Sequence, residues 1–228
     1  MQISKSRANI MLLVAAIIWG AGYIWSKQAT NAEMHAGLIN AIRGFIYAGL
    51  VYLLFHRAVN HMSQLDLRIG LTAGIINFLG YQIQTVGLMY TTPANNAFLT
   101  AIYVVIVPFV VWLFFHQRPE PKSYLAILIC MVGMAFLTNV VGHGLTLHLG
   151  DLLTILSAFF YALQIVYFGM SATQSNPWTL AFLLGLTQGV LGGAWSLLFE
   201  RGSYASVNWQ AGLVPVIILG IASSFGAQ

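Results

Sequence analysis

Residues 36–55 read AGLINAIRGFIYAGLVYLLF, and Arg43 is the only charged residue among them. A helix of about 20 apolar residues crosses the hydrocarbon core of a bilayer. Because lipid offers no hydrogen-bond partner to the backbone, such a stretch predicts a transmembrane helix. An arginine inside it should face the protein interior or reach water, since exposure to lipid costs about 2.5–3.5 kcal/mol.

The composition of the whole chain also indicates an integral membrane protein. Of its 228 residues, 59% are hydrophobic and 6% are charged, whereas soluble domains carry about 25% charged residues. The net charge of +4 is spread over the ends of the apolar segments, which argues against a nucleic-acid-binding patch. A single cysteine, Cys130, excludes a disulfide within the chain.

Hydropathy predicts eight transmembrane helices joined by short connections. They cover residues 9–26, 36–55, 70–90, 93–115, 123–140, 151–170, 179–199 and 210–228. With the N-terminus inside, the inner connections hold six Lys or Arg residues and the outer connections hold Lys27 and Arg201. This bias predicts a multi-pass protein of the plasma membrane with a cytoplasmic N-terminus.

An internal repeat relates the two halves of the chain. YLLFHR (52–57) and SLLFER (196–201) lie 144 positions apart, and an offset of 142 superimposes Trp19-Gly20 on Tyr161-Ala162. Five spans separate the matching segments, so the second half enters the membrane from the opposite side, as in the inverted repeats of secondary transporters. We expect an all-α polytopic membrane helix bundle with a five-helix repeat at 1–140. An incomplete second repeat at 141–228 would make the chain a fragment with eight of ten spans.

Polar side chains recur at helical spacing on four of the predicted spans. Residues three, four and seven positions apart share one face of a helix, and amides, hydroxyls and aromatic rings suit a substrate cavity. The alternative is that they bond neighbouring helices, at about 0.6 kcal/mol each. The candidate substrate-binding residues are Trp19, Tyr23, Asn77, Tyr81, Gln84, Asn96, Thr100, Tyr103, Tyr161 and Gln164.

Arg43 has two competing interpretations. It could tie outer helix ends together through carbonyls or through a carboxylate such as Glu33, Asp151 or Glu200, or it could attract the carboxylate of a substrate. We favour the structural role from the sequence. In span 7, Ala181, Gly185, Gly189 and Gly193 recur every four residues, a spacing that predicts close helix packing.

Three segments resemble the EamA-type members of the drug/metabolite transporter superfamily. They are AAIIWGAGYIWSKQA (15–29), NAIRGF (40–45) and the stretch over 84–137, which has a proline in span 4, an RP turn and a glycine in span 5. The resemblance implies two five-helix repeats with both termini inside, and the movement of small metabolites, often amino acids outward. This sequence departs from the pattern by ending inside span 8.

The resemblance and the polar stripes together predict a secondary transporter that exports amino acids or related compounds by alternating access. The alternatives are an uptake or exchange carrier for a nucleoside, vitamin or sugar-like metabolite, and a membrane scaffold fragment without transport. No catalytic or metal-ligand motif is visible, so we expect neither an enzyme nor a cofactor or metal. The expected partners are a small-molecule substrate and the lipid bilayer, with a second copy of the chain as an alternative neighbour of span 5.

Overall fold

The chain is described as a computed structural model over residues 5–116, 118, 121–137, 148–171 and 174–226, and all regular elements within these ranges are helical. A 3-10 turn over Arg201–Ser203 follows α8, and a π-helical segment over Leu219–Gly226 continues α9. The helices are α1 (Lys5–Asn31), α2 (Ala36–Asn60), α3 (Gln64–Met89), α4 (Pro93–Thr100), α5 (Tyr103–Phe115), α6 (Pro121–Leu137), α7 (Leu149–Ser171), α8 (Pro177–Phe199) and α9 (Trp209–Ile218).

The helices confirm a polytopic membrane bundle. Within the part of the chain that the structure describes, six stretches are long and apolar enough to cross a bilayer: Asn9–Asn31, Ala36–Asn60, Pro93–Phe114, Leu149–Ser171, Pro177–Phe199 and Trp209–Gly226. The 26 residues of α3 make a helix about 39 Å long. It is not among these six stretches, because it carries more polar side chains than they do. Several helices run past the predicted span limits, as α2 does to Asn60, because a helix continues into the hydrated interface.

Two antiparallel helices, α2 and α8, make the closest contact of the bundle. A Cβ atom on Gly44 would overlap the backbone of Gly185 and Gly189, and one on Gly192 would overlap the backbone of Ala41. Small residues let two helix backbones approach this closely in a membrane. We call this contact the glycine seam; it comprises Ala41, Gly44, Ala48, Gly185, Gly189 and Gly192.

The seam corrects one detail of the predicted ridge. Gly192 faces α2 directly, whereas Gly193 lies at the margin of the contact. A spacing of four residues advances 400° around a helix, so the ridge drifts and the third contact falls seven residues after the first. Ala181 packs in the neighbouring apolar cluster that contains Tyr47.

Two contacts across the glycine seam are related by the sequence offset of 144 positions. Gly185 approaches the backbone of Ala48, and Gly192 approaches the backbone of Ala41. An offset of 144 places Ala41 on Gly185 and Ala48 on Gly192, so each contact maps onto the other. A two-fold axis between inverted repeats produces this exchange. The division of the chain into 1–140 and 141–228 stays a prediction.

The other helices surround this pair. α3 packs against α7 and α8, and α1 packs against α9. α6 touches only α4 and α5 among the described elements with extensive contacts, and its Leu125, Leu128 and Phe136 side chains are 59–70% exposed. Span 5 therefore lies at the periphery, as expected from its apolar sequence. The side chain of Cys130 lies outside the described residues.

The predicted fourth span is two helices rather than one. Between α4 and α5, Ala101 N donates to Phe98 O at 3.1 Å and Ile102 N to Leu99 O at 3.2 Å, the spacing of a 3-10 turn. Pro108 in α5 lacks an N–H and displaces the carbonyl one turn earlier, and the Thr100 hydroxyl donates to the Asn96 carbonyl at 2.7 Å. The proline and the hydroxyl bond of Thr100 both weaken the regular α-helical hydrogen bonding between α4 and α5.

The predicted eighth span also changes its helix type. α9 contains Pro215, which cannot donate to the carbonyl one turn earlier. The helix then widens into the π-helical segment, a rare conformation that is frequent at functional sites. This segment carries Ser223 and Ser224, whose contacts with α1 and α2 are described below.

Candidate functional site

Gln84 of α3 is the centre of a hydrogen-bond cluster between four helices. Its Nε2 donates to Thr100 Oγ1 at 2.9 Å and to Tyr23 Oη at 3.2 Å. Its Oε1 accepts from Tyr161 Oη at 2.9 Å. One amide side chain thus joins α1, α3, α4 and α7.

A second amide, Asn96, extends this cluster towards α7. Its Nδ2 donates to Thr154 Oγ1 at 2.7 Å and to the backbone O of Gln84 at 3.2 Å. Asn96 lies in α4 just before the 3-10 turn and is fully buried. We call the connected side chains the Gln84 cluster; they are Tyr23, Gln84, Asn96, Thr100, Thr154 and Tyr161.

Glycines bring α3 and α7 close enough for these bonds. A Cβ atom on Gly80 would press on the Tyr161 ring, and one on Gly87 would overlap the carbonyl oxygen of Gly150. The close approach lets the short Thr154 side chain and the phenol of Tyr161 reach the amides from α7. Five of the residues predicted from the polar stripes therefore share one cluster: Tyr23, Gln84, Asn96, Thr100 and Tyr161.

Arg43 lies beside this cluster and is 3% exposed. Its guanidinium carbon is 4.2 Å from the centre of the Tyr81 ring, a cation–π distance. Its Nε donates to Ser224 Oγ at 3.1 Å. The Tyr81 ring in turn meets the Tyr161 ring edge to face, with centroids 5.5 Å apart, which links Arg43 to the Gln84 cluster.

The carboxylates proposed as partners of Arg43 bond elsewhere. Glu200 accepts from the backbone N of Gly37 at 2.9 Å and of Leu38 at 3.1 Å, where it neutralises unpaired donors of the α2 N-terminus. Asp151 accepts from Thr91 Oγ1 at 2.9 Å. Neither residue is bonded to Arg43, because backbone donors near helix ends, among them His148 N for Asp151 at 3.2 Å, hold both carboxylates.

Five predicted site residues lie outside the hydrogen bonds of the Gln84 cluster, and one of them, Tyr81, meets the cluster only through its ring contact with Tyr161. Trp19 is 44% exposed and its Nε1 donates to the backbone O of Ser223 at 3.3 Å. Tyr103 packs on the apolar cluster of Val110, Ala162 and Val166. Asn77 and Gln164 are buried, and Asn77 Oδ1 has no hydrogen-bond partner among the described residues.

A second chain of amides, between α2, α3 and α8, was missed from the sequence. Asn40 Nδ2 donates to Gln82 Oε1 at 2.9 Å, and Gln188 Nε2 donates to Asn40 Oδ1 at 3.2 Å. All three side chains are buried next to the glycine seam. Gln82 and Gln188 fall off the polar stripes, although glutamine inside an apolar span was itself a usable signal.

Contacts at both ends of the bundle close it, and some of them join the two predicted repeats. At the end that holds the α1–α2 loop, Lys27 Nζ donates to the carbonyls of Leu88 and Thr91 at 2.8 and 2.9 Å, and Asn208 N donates to Ala32 O at 3.0 Å. At the opposite end, Phe55 stacks on Trp178 with centroids 3.6 Å apart. The Gln84 cluster lies between these two closures.

Asp66 belongs to the closure that contains Phe55. Its Oδ2 accepts from Ser63 Oγ and Ser63 N at 2.7 and 2.9 Å, and its Oδ1 accepts from Asn176 N at 2.9 Å. The bond from the Ser63 hydroxyl and those from the backbone lower the pKa of the Asp66 carboxyl below its usual value, against the opposing effect of burial. One carboxylate therefore caps α3 and fastens α8 to it.

Two surface depressions occur near the α1–α2 loop. One, of about 280 Å³, is lined by Gln28, Asn31, Ala32, Asn208 and Ala211. The other, of about 380 Å³, is lined by residues that include Lys27 and Glu33. In the described ranges no three His, Cys, Asp or Glu residues gather as metal ligands. The polar side chains at the centre bond one another, so they can exchange these bonds for those of a polar solute.

Comparison with known proteins identifies the family. A model described as the EamA-like transporter family matches residues 6–139. The chain belongs to the EamA-like transporter family. An uncharacterized transporter of Archaeoglobus fulgidus is 33% identical over 180 residues, which cover 79% of this chain and 54% of that protein.

A second relative is more distant. The uncharacterized transporter YvbV of Bacillus subtilis is 24% identical over 224 residues, which cover 95% of this chain and 71% of that protein. This EamA-family chain therefore spans about half of the first of these curated relatives and about seven tenths of the second. The resemblance stated from the sequence is confirmed.

Proposed function

We propose that this chain acts in a secondary transporter that moves a small polar or amphipathic metabolite by alternating access, with the Gln84 cluster as its binding site. The observation that carries the proposal is the amide of Gln84, which hydrogen-bonds side chains from three other helices. A solute with donors and acceptors can replace these bonds one for one. Buried polar groups in a membrane are functional candidates by default.

The two closures support alternating access. Each includes a contact between the two predicted repeats, Asn208 N with Ala32 O at one end and Phe55 with Trp178 at the other. The glycine seam between them is a smooth backbone contact about which the halves of an inverted repeat can rock. Opening either closure alone would expose the cluster to one side of the membrane.

The substrate class is proposed from the resemblance and from the chemistry of the cluster. Amides and hydroxyls bind amino and carboxylate groups, while the rings of Tyr23, Tyr81 and Tyr161 cover apolar parts. We therefore propose outward movement of amino acids or related compounds. Uptake or exchange of a nucleoside, vitamin or sugar-like metabolite is the alternative, and a scaffold without transport is the third candidate.

The charge bias of the connections supports insertion in the plasma membrane with a cytoplasmic N-terminus. Reporters fused after residue 62 and after residue 205 test this orientation, because the two positions lie in connections assigned to opposite sides. A reporter active only outside the cell should be active after residue 205 alone. The exposed face of α6 is proposed to contact lipid or a second copy of the chain, which single-molecule counting in lipid discs would distinguish.

Counterflow in proteoliposomes tests the transport proposal. Vesicles are loaded with one unlabelled amino acid, nucleoside or sugar at a time, and entry of the labelled solute is followed. At least one solute should show saturable counterflow. Gln84→Ala should lower its rate about tenfold, the effect of losing about 1.4 kcal/mol of hydrogen bonding.

Gln174→Ala is the matched control. Gln174 is exposed between α7 and α8, and its Nε2 donates to the Met170 carbonyl at 3.3 Å, outside the Gln84 cluster, so counterflow should not change. Equal rates in the two variants would contradict the role of the Gln84 cluster. Absence of counterflow with every solute would contradict transport by this chain and favour a scaffold.

A further inference from the structure

Arg43 carries a buried charge without a counter-charge among the described groups that touch it. It is 3% exposed, and its neighbours are the Ser224 hydroxyl and the Tyr81 ring. A hydroxyl and an aromatic face only partly replace the hydration that a guanidinium loses on burial. Buried charges are normally paired with an opposite charge.

One of the two donors on an edge of the Arg43 guanidinium makes no hydrogen bond among the described residues. Nε and Nη2 lie on the same edge, and together they match the two oxygens of a carboxylate. Nε donates to Ser224 Oγ at 3.1 Å, whereas Nη2 is buried and has no partner among the described residues. Ser224 thus occupies one of two positions that a carboxylate would fill together.

A second buried donor without a partner among the described residues lies at the interface of α2 and α3. Gln82 follows Tyr81 on α3, and its Oε1 accepts from Asn40, one helical turn before Arg43 on α2. This bond fixes the Gln82 amide so that Nε2 is buried without a partner among the described residues. The α2–α3 interface therefore holds two unused donors, which favour an acceptor with negative charge.

From this arrangement we infer that Nε and Nη2 of Arg43 form the subsite for the carboxylate group of the substrate. Ser224 holds the Nε position when the substrate is absent and yields it on binding. The π-helical segment that carries Ser224 supports this exchange, since π turns hold their hydrogen bonds less regularly than α turns. The Tyr81 ring keeps the guanidinium in place and connects it to Tyr161 of the Gln84 cluster.

This subsite rests on the proposed transport function, but binding can be measured without transport. The purified full chain in lipid discs is heated with acetate, benzoate or L-phenylalanine, and separately with acetamide, benzamide or L-phenylalaninamide, at constant ionic strength. At least one carboxylate should raise the Tm in a saturable manner, and its amide should not. The stabilisation follows from binding to the folded state.

Arg43→Gln should lower the affinity for the carboxylate, read from the concentration dependence of the Tm, at least about tenfold, since a buried charge pair is lost. Ser224→Ala should retain the effect, because the serine only occupies the position. If Arg43→Gln does not fold, Arg43→Lys keeps the charge without the fork. It should still prefer carboxylates over amides, with weaker binding.

Equal stabilisation of wild type and Arg43→Gln by carboxylates would overturn the subsite, as would equal stabilisation of the wild type by acids and amides. Failure of all three carboxylates to stabilise the wild type would also overturn it. Counterflow of uncharged solutes by the same purified protein, reconstituted in proteoliposomes, reports separately on the transport proposal. A wrong subsite and a wrong function are thereby distinguished.

Discussion

The glycine seam and the Gln84 cluster both join helices in the membrane, but by different means. The seam brings two backbones together where no side chain intervenes, and its energy comes from close packing. The cluster joins four helices through amides and hydroxyls, each bond adding about 0.6 kcal/mol in a membrane. The difference teaches that the seam is intolerant of added atoms, while the cluster can exchange partners with little loss of stability.

The largest effect is expected when a large side chain is placed in the glycine seam. Gly44→Leu places a side chain on the backbone of α8, so α2 and α8 must separate. We expect loss of the folded protein, because overpacking beyond a few methylene groups exceeds the usual cost of about 1–3 kcal/mol. The yield of monodisperse protein and its Tm measure the outcome.

Gly49→Leu is the matched control on the same helix. No atom lies within 4 Å of a Cβ atom placed on Gly49, so this variant should fold as well as the wild type. Similar yields of both variants would mean that the seam is not the rigid contact of the bundle.

The chain of Asn40, Gln82 and Gln188 sharpens the comparison, since it is polar but lies beside the seam. Asn40→Ala leaves a buried acceptor on Gln82 and a buried donor on Gln188 without their partner. We expect a loss of about 1–3 kcal/mol in the free energy of unfolding, seen as a lower Tm. Asn31→Ala, at an exposed position, should stay within about 0.5 kcal/mol. An unchanged Tm with lost counterflow in Asn40→Ala would mean that these three amide side chains belong to the binding site.

Tyr161→Phe tests the opposite property of the cluster. The variant loses the bond to Gln84 Oε1 but keeps the ring that faces Gly80 and Tyr81. Stability should fall by about 0.6 kcal/mol, whereas counterflow should slow several-fold. Tyr167→Phe on the same helix, within an apolar cluster, should leave counterflow unchanged. A large loss of Tm in Tyr161→Phe would show that the cluster is structural.

The smallest effect concerns Asp66, outside both regions. Its pKa is lower in the folded protein than in the unfolded chain, so its stabilising effect is present above about pH 4 and is lost as the pH falls through the folded pKa. The Tm of the wild type should decrease between about pH 5 and pH 3 more than that of Asp66→Asn. Parallel Tm curves for the two proteins would contradict the lowered pKa.

The sequence predicted the elements of the fold but not their interruptions. Hydropathy located the membrane helices, and α4 begins with Pro93 in its first turn, where Thr92 Oγ1 accepts from Asn95 N at 3.2 Å. It treated 93–115 as one helix, because an apolar run does not reveal where backbone bonds change spacing. The 3-10 turn and the π-helical segment depend on prolines and on contacts with neighbouring helices.

The candidate site was predictable to a similar extent. Helical spacing selects residues on one face, and it brought together five members of the Gln84 cluster. It also selected Tyr103, which packs among apolar side chains, because a stripe does not tell which neighbour it meets. It missed Gln82 and Gln188, whose faces become interior only when α3 and α8 pack against α2.

By itself, the sequence determined that this chain lies in a membrane as helices, because lipid leaves no other way to pair an apolar backbone. It also determined the family, through the order of short motifs. Only the tertiary structure decided the surroundings of Arg43. The nearby carboxylates could bond either to it or to helix ends, and the distances that choose between these partners arise from the packing of helices far apart in the chain.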